Sequence, residues 1–381
     1  MTTTIPHDTL KTALSIATKA ATNKTLPVLT TIRLQASELS LALTATDLET
    51  AIHVTVASNT DKPFSTCAPA SVLANLVQTS DSATIQFKPM PGEKLSLVAG
   101  GAKSTLNCLP GDEFPLPPIA SNEMGCISAS QLRTALKKVL IATSNDQSRP
   151  ALCAVQFARL KDRTYLAAAD GFRLAACQLE NEIIFPNDKT SLLIPRGSAV
   201  KLAAILPESD EPVSIAITPN ASALCFSWSG LKFWAQLSDL KFPDWQAIIP
   251  GSFKHELYLP ARQTTEAVQR AEIFARDSNH TVSFVPGENG MIVTGKSDGS
   301  GKSETVLGIP IECQISFNTL FVRQGLEAVG ADVVQMQFNG PNTPVLFKGP
   351  TDQYQYLLMP MSTPEDQASA ARAAQAAEES V

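Results

Sequence analysis

Apolar positions along the chain follow two spacings, and the two alternate in a fixed order. Residues 7–20 (HDTLKTALSIATKA), 128–143 (SASQLRTALKKVLIAT) and 260–276 (PARQTTEAVQRAEIFAR) carry apolar side chains at helical spacing. In the second of these, Leu132, Ala135, Leu136, Val139 and Leu140 follow Ser128, a residue type suited to start a helix. Each helix precedes strands with period-two alternation, such as Ile32/Leu34/Ala36 and Leu39/Leu41/Leu43. That alternation predicts antiparallel sheets with one buried face. A second helical segment then appears at 69–79, 195–206 and 318–330, followed by the strands ATIQF, VSIAI and VVQMQF.

The same order therefore occurs three times. Strand pairs in each copy turn at an aspartate: Asp47, Asp170 and Asp298, separated by 123 and 128 positions. The chain reads as three copies of one α+β unit of roughly 125 residues, each with two helices over antiparallel sheets. The expected units are 1–121, 122–251 and 252–362, with an Ala-rich tail at 363–381. Asp170, in YLAAADGFRLAACQL, then reads as a hairpin corner, where Asp before Gly has a conformational reason to stand. A unique catalytic acid would not occur three times.

Catalytic and metal-binding patterns are missing. The four histidines (7, 53, 255 and 280) are dispersed, and the seven cysteines show no Cys-x-x-Cys spacing. No metal or cofactor is expected. GKSDGSGKSE (295–304) ends like a phosphate-binding loop, but Lys296 stands where that motif needs glycine and a strand pattern follows. It reads as a Gly/Ser hairpin. The start carries no signal-peptide pattern and no apolar run reaches about 20 residues, so a cytoplasmic protein is expected.

Charge adds one feature. The chain is net −6, which argues against a uniformly basic nucleic-acid coat. Yet 128–149 holds Arg133, Lys137, Lys138 and Arg149 against Asp146, and 7–24 holds Lys11, Lys19 and Lys24 against Asp8. Such faces are either solvated helix surfaces or a local positive surface for phosphates.

TLPVLTTIRLQASELSLALTATDLE near the start, AADGFRLA in the middle, KFPDWQAIIP at the second junction and YLLMPM at 356–361 resemble the β subunits of bacterial DNA polymerase III, the sliding clamps. The resemblance spans nearly the whole chain. It implies a non-catalytic clamp that forms a closed ring as a head-to-tail homodimer, with sheets outside and twelve helices lining the hole. It would encircle duplex DNA without reading sequence, tethering the replicative polymerase and other replication or repair proteins near the nucleoid. The residues that would face DNA are Lys24, Arg133, Lys137, Arg149 and Arg196, with Lys138 and Lys201 as helpers. The ring joint would set Leu106 against Ile273 and Phe274. Partners, the clamp loader among them, would dock a peptide similar to Gln-Leu-x-Leu-Phe against Leu152, Gly171, Phe172, Arg173, Leu174, Pro243, Ile248, Leu357, Leu358, Met359, Pro360 and Met361.

The chain departs from the family pattern at Ala169 and Phe172, where Thr and His are common. Gln246-Ala247 and Ser362 replace basic residues. These changes predict a more apolar docking pocket with less charge steering. The tail at 363–381 extends beyond the usual family end; it reads as a frayed helix or disordered surface tail, with a tether that interferes with that pocket as the alternative. The thin basic lining of the first and third units leaves a second reading: a clamp-like accessory protein that binds such peptides without working as a loaded ring.

Overall fold

The computed structural model describes residues 2–23, 25–186, 190–276, 279–351 and 353–362. Lys24 and the tail 363–381 lie outside the described residues.

The first copy runs β1 (Thr3–Pro6), α1 (His7–Ala17), β2 (Thr31–Ala36), β3 (Ser40–Thr46), β4 (Thr50–Ala57), β5 (Asn59–Thr60), β6 (Phe64–Pro69), α2 (Ala70–Gln78), β7 (Thr84–Met90), β8 (Lys94–Ala99), β9 (Ala102–Asn107) and β10 (Leu109–Pro110). The second runs β11 (Asn122–Ser128), α3 (Ala129–Leu140), β12 (Ala154–Leu160), β13 (Arg163–Ala169), β14 (Arg173–Leu179), β15 (Ser191–Pro195), α4 (Arg196–Ile205), β16 (Pro212–Ile217), β17 (Ala223–Trp228) and β18 (Leu231–Gln236). The third runs β19 (His255–Pro260), α5 (Ala261–Ala275), β20 (Thr281–Gly287), β21 (Gly290–Ser297), β22 (Gly301–Leu307), β23 (Ile315–Asn318), α6 (Thr319–Val329), β24 (Val333–Phe338), β25 (Val345–Lys348) and β26 (Tyr354–Leu358). All six helices predicted from spacing are present where expected.

Most helices begin directly after a proline that ends a strand: Pro6, Pro69, Pro195 and Pro260. Proline's fixed φ suits the entry, and its missing N–H is no loss where no intrahelical acceptor exists. In the third copy Asn318 takes over before α6, its side chain accepting from the Phe321 N–H at 3.2 Å, and Gly330 closes that helix at φ 68°. The buried stripes are those of the pattern: Leu10, Ala13, Leu14 and Ala17 on α1, and Ile32, Leu34 and Ala36 on β2.

Compact packing divides the chain in two. Unit 1 comprises Met1–Leu136, Arg159–Thr164 and Glu180–Asp239; unit 2 comprises Lys137–Ala158, Tyr165–Leu179 and the described part of Leu240–Val381. The division cuts through the second sequence copy, because sheets form across copy boundaries. In unit 1 one sheet runs β10-β6-β2-β3-β4-β18-β17-β16-β11, joining the first copy to the second through β4 and β18. In unit 2 strands run β12-β13-β14-β26-β25-β24-β19, joining second to third through β14 and β26. The remaining sheets, β5-β1-β7-β8-β9 in unit 1 and β22-β21-β20-β23 in unit 2, each lie within a single copy.

Strand register refines the turn equivalence. Arg33 pairs with both Thr44 and Cys67, as Ser283 pairs with both Thr294 and Ser316. Thr44 thus corresponds to Thr294, and Asp47 to Ser297. Asp298 stands one position further on. The turn chemistry agrees: Asp47 Oδ1 accepts from the Thr50 N–H at 2.7 Å, and Ser297 Oγ accepts from the Ser300 N–H at 3.2 Å. The third turn has one extra residue, since Ser297 pairs with Gly301 whereas the Asp47 N–H bonds to the carbonyl of Thr50.

Candidate docking site and basic helix faces

The Asp170 hairpin sits within unit 2, and its carboxylate is fully used in structure. The N–H groups of Phe172 and Arg173 donate to Oδ1 at 2.9 and 3.0 Å, and Arg173 Nε donates to Oδ2 at 2.8 Å. Arg173 reaches on to Gln324 Oε1 at 2.6 Å on α6, with its guanidinium 4.0 Å from the Phe321 ring centre. Its side chain is only 9% exposed. The guanidinium is therefore a brace between the hairpin and α6. Gly171 takes φ 95°, a conformation that calls for glycine, and a Cβ there would lie 2.5 Å from Nη1 at the end of the partly exposed Arg149 side chain.

The expected docking residues fall into two sets. Leu174, Leu357 and Leu358 are buried on adjacent paired strands, Leu174 directly opposite Leu357. Leu174 and Leu357 form a floor. Phe172 (59% exposed), Ile248 (47%) and Met359 (38%) stand in solvent. The Met359 N–H donates to the Phe172 carbonyl at 2.8 Å, which places these two apolar side chains next to each other on the chain-to-chain step out of β14 and β26. Leu152, Pro360 and Met361 are half-buried, and Pro243 is exposed. The Met361 N–H ties to the Ser316 carbonyl at 2.7 Å.

Pro243 and Ile248 belong to a linker held by a residue that the sequence assigned no role. Trp245 is buried, donates Nε1–H to Gln156 Oε1 at 2.9 Å, and meets the Tyr165 ring edge-on at 5.9 Å. Its place in KFPDWQAIIP was the signal: a large aromatic between Asp244 and Gln246, in a segment with no strand or helix periodicity, needs a reason. Below the hairpin, Tyr356 is wholly buried, bonds the Phe321 carbonyl at 2.9 Å, and occupies the space that a Cβ at Gly325 would fill. Burial pushes its hydroxyl well above the usual tyrosine range.

Several basic residues expected on a phosphate-facing surface have protein partners. Lys201 pairs with Asp47, and Lys138 donates to the Val329 carbonyl at 3.3 Å while lying 5.0 Å from the Tyr354 ring centre. Both are tied down because the fold brings an acceptor from far along the chain. Arg133 contacts Glu208 at 2.9 Å. Arg149 contacts Asp146 at 3.1 Å and lies over Gly171, at the docking hairpin. Lys137 is exposed and Arg196 half-buried at the start of α4. Of the joint residues, Ile273 is 63% exposed and Phe274 half-buried, while Leu106 is 4% exposed: it lies on the edge strand β9 with its side chain turned inward.

Among the described residues, no group of three or more His, Cys, Asp or Glu could hold a metal ion. The cysteines are free, and burial pushes the thiols of Cys67 and Cys177 up to about 11, leaving them protonated near neutrality.

Comparison with known proteins accounts for nearly all of the described length. The chain matches the DNA polymerase III beta subunit over its N-terminal domain (residues 1–118), its central domain (126–244) and its C-terminal domain (246–362). It is 27% identical over 365 residues to the beta sliding clamp of Synechococcus elongatus, covering 92% of this chain and 96% of that one. With the beta sliding clamp of Bacillus subtilis it shares 26% over 379 residues, covering 94% and 99%. The fold matches the crystal structure of the Bacillus subtilis clamp with a TM-score of 0.88 at 24% identity, covering 95% of this chain and 99% of that one. The Pseudomonas aeruginosa DNA polymerase III subunit beta gives 0.87 at 24% identity, covering 95% and 100%. A chain built of three α+β copies, matched copy by copy along its length, belongs to the DNA polymerase III beta-subunit family, the beta sliding clamps.

Proposed function

We propose that the protein is a non-catalytic sliding clamp: two copies close head to tail around duplex DNA and tether the replicative polymerase and other peptide-bearing partners to it. The observation that carries this reading is the junction between copies of the repeat. Within unit 1, the strand leaving the Asp47 turn (β4) pairs with the last strand of the next copy (β18). Within unit 2, the strand leaving the Asp170 turn (β14) pairs with β26 in the same way. Their counterparts, β22 and β9, are edge strands of their sheets. An edge strand is a template for pairing with another chain. Joining β22 of one molecule to β9 of a second makes a third junction of the same kind, and repeating it once returns to the start.

In this reading the domains are 1–121, 122–251 and 252–362. Encirclement holds DNA by topology, so a few cations suffice, and strong phosphate binding would impede sliding. Lys137, with Lys24, Arg133 and Arg196, supplies that weak contact. Lys138, Lys201 and Arg149 act first as structural ties. Peptides dock over the Leu174–Leu357 floor, gripped by Phe172, Ile248 and Met359, with Leu358 packed behind it. Among the described residues no helix is long and apolar enough to cross a membrane.

The test is retention on nicked circular DNA after loading by the cognate loader. Stable retention that is lost on linearising the circle supports the clamp. Equal loss from circular and linear DNA, with a loader active on another clamp, overturns it.

A further inference from the structure

Both internal junctions contain a charged anchor beside the strand pairing. In unit 1 the Asp47 carboxylate, only 10% exposed, is bound by Lys201 on α4 and by the Thr22 hydroxyl at 3.1 Å. The buried Thr50 and Ser198 hydroxyls meet beside it at 2.9 Å. In unit 2 the Asp170 carboxylate is bound by Arg173, which extends to Gln324 on α6. Lys201 and Gln324 occupy the same place, the sixth residue of their helices. In each case a turn aspartate of one copy is tied to the sixth helical residue of the next, through a cation.

The positions that would form the third junction are different. Register makes Ser297 the counterpart of Asp47, and the sixth residue of α2 is Asn75. Helix α2, Ala70–Gln78, contains no charged residue at all. Register can also be carried across. Thr50 pairs with Ala235 and Arg173 with Leu358, and the same offset sets Gly301 opposite Leu106 and Glu304 opposite Lys103. Lys103 is exposed, and among the described residues the Glu304 carboxylate has its ion pair with its own strand neighbour Lys302, at 2.8 Å.

We propose, resting on the head-to-tail reading above, that the joint between two copies keeps this register but replaces the buried charged anchor with a neutral Ser297–Asn75 contact, leaving the Glu304–Lys103 pair as its ionic tie. The three junctions of a protomer are then unequal by sequence. Two are locked by a nearly buried carboxylate and a cation. The one between molecules relies on backbone pairing, apolar contact and a rim ion pair that salt screens. A ring that must admit DNA opens at the joint lacking the lock.

The test uses the full chain and measures dimer dissociation and subunit exchange. Lys103→Glu and Glu304→Lys should each weaken the dimer by about fivefold, and together restore it, as expected for a surface pair. Asn75→Lys with Ser297→Asp should rebuild the anchor and slow exchange by about tenfold more than the two single changes combined. Asn75, Lys103 and Glu304 are not buried, so folding is retained in the first set even if Ser297→Asp disturbs its turn. A dimer in which neither pair couples overturns the inference alone. A wild-type chain that stays monomeric and leaves circular DNA as fast as linear overturns the head-to-tail reading together with it.

Discussion

Arg173 Nε donates to Asp170 Oδ2 across 2.8 Å, and both side chains are about nine-tenths buried. A turn carboxylate and the arginine three residues later thus form one unit with Gln324 and the Phe321 ring. Removing either partner leaves the other charge buried without compensation. Asp170→Asn or Arg173→Met should each destabilise unit 2 by about 3 kcal/mol, read from urea unfolding. The double variant should cost less than the sum. Additive losses would show that the two side chains act independently.

Gly171 is constrained by a left-handed φ of 95°, and the movable end of the Arg149 side chain lies where a Cβ would stand. Gly171→Ala should cost about 1–3 kcal/mol in stability and displace Arg149 from Asp146. Thermal melting measures the first, and a crystal structure of the variant the second. An unchanged melting temperature would contradict the strained geometry.

The docking surface should respond to apolar area more than to charge. Phe172→Ala removes the most exposed of its large apolar groups and should weaken a Gln-Leu-x-Leu-Phe peptide by about tenfold, as expected for loss of roughly 1.5–3 kcal/mol of apolar burial offset by relaxation. With Gln246, Ala247 and Ser362 uncharged, affinity should vary little between low and high salt. A steep salt dependence in titration calorimetry would contradict this.

His7 and His53 should titrate in opposite directions. The Val77 carbonyl accepts from His7 Nε2 at 2.9 Å and Asp8 lies against Nδ1, so the imidazolium is favoured and the pKa is raised above 6.5. Burial of His53, with Lys232 and Arg33 nearby, lowers its pKa. A raised pKa means that the His7 contribution to stability is complete below 6.5 and is lost as pH rises through the folded value. For His53 the loss comes instead as pH falls below 6.5 toward its folded value. Ring-proton NMR titration should give midpoints above 6.5 for His7 and below it for His53.

The repeat, all six helices and the turn role of Asp170 were legible because each follows from local spacing and turn chemistry. The third turn misled by one position: Ser297, not Asp298, takes the place of Asp47, since an extra turn residue shifts the acidic side chain past the corner. The basic residues were legible as charges but not as partners. Lys201 meets Asp47 and Lys138 meets Val329 over long stretches of chain, and spacing carries no sign of such pairs. Leu106 could be placed near an edge, but which way its side chain points depends on strand register. Trp245 as the linker's anchor, and the division of the second copy between two compact units, follow from sheets that form across copy boundaries.

Ring closure around DNA is tested most directly by locking the joint covalently. Lys103→Cys and Glu304→Cys in one chain, with exposed Cys126 replaced by serine, place two cysteines at positions set opposite by the transferred register. The protein is loaded onto closed circular DNA, oxidised and then denatured. The account predicts a cross-linked dimer that stays with the circle in denaturant and is released when the circle is cut. A cross-linked dimer that denaturant strips from intact circles, or a chain that forms no cross-link, would contradict it.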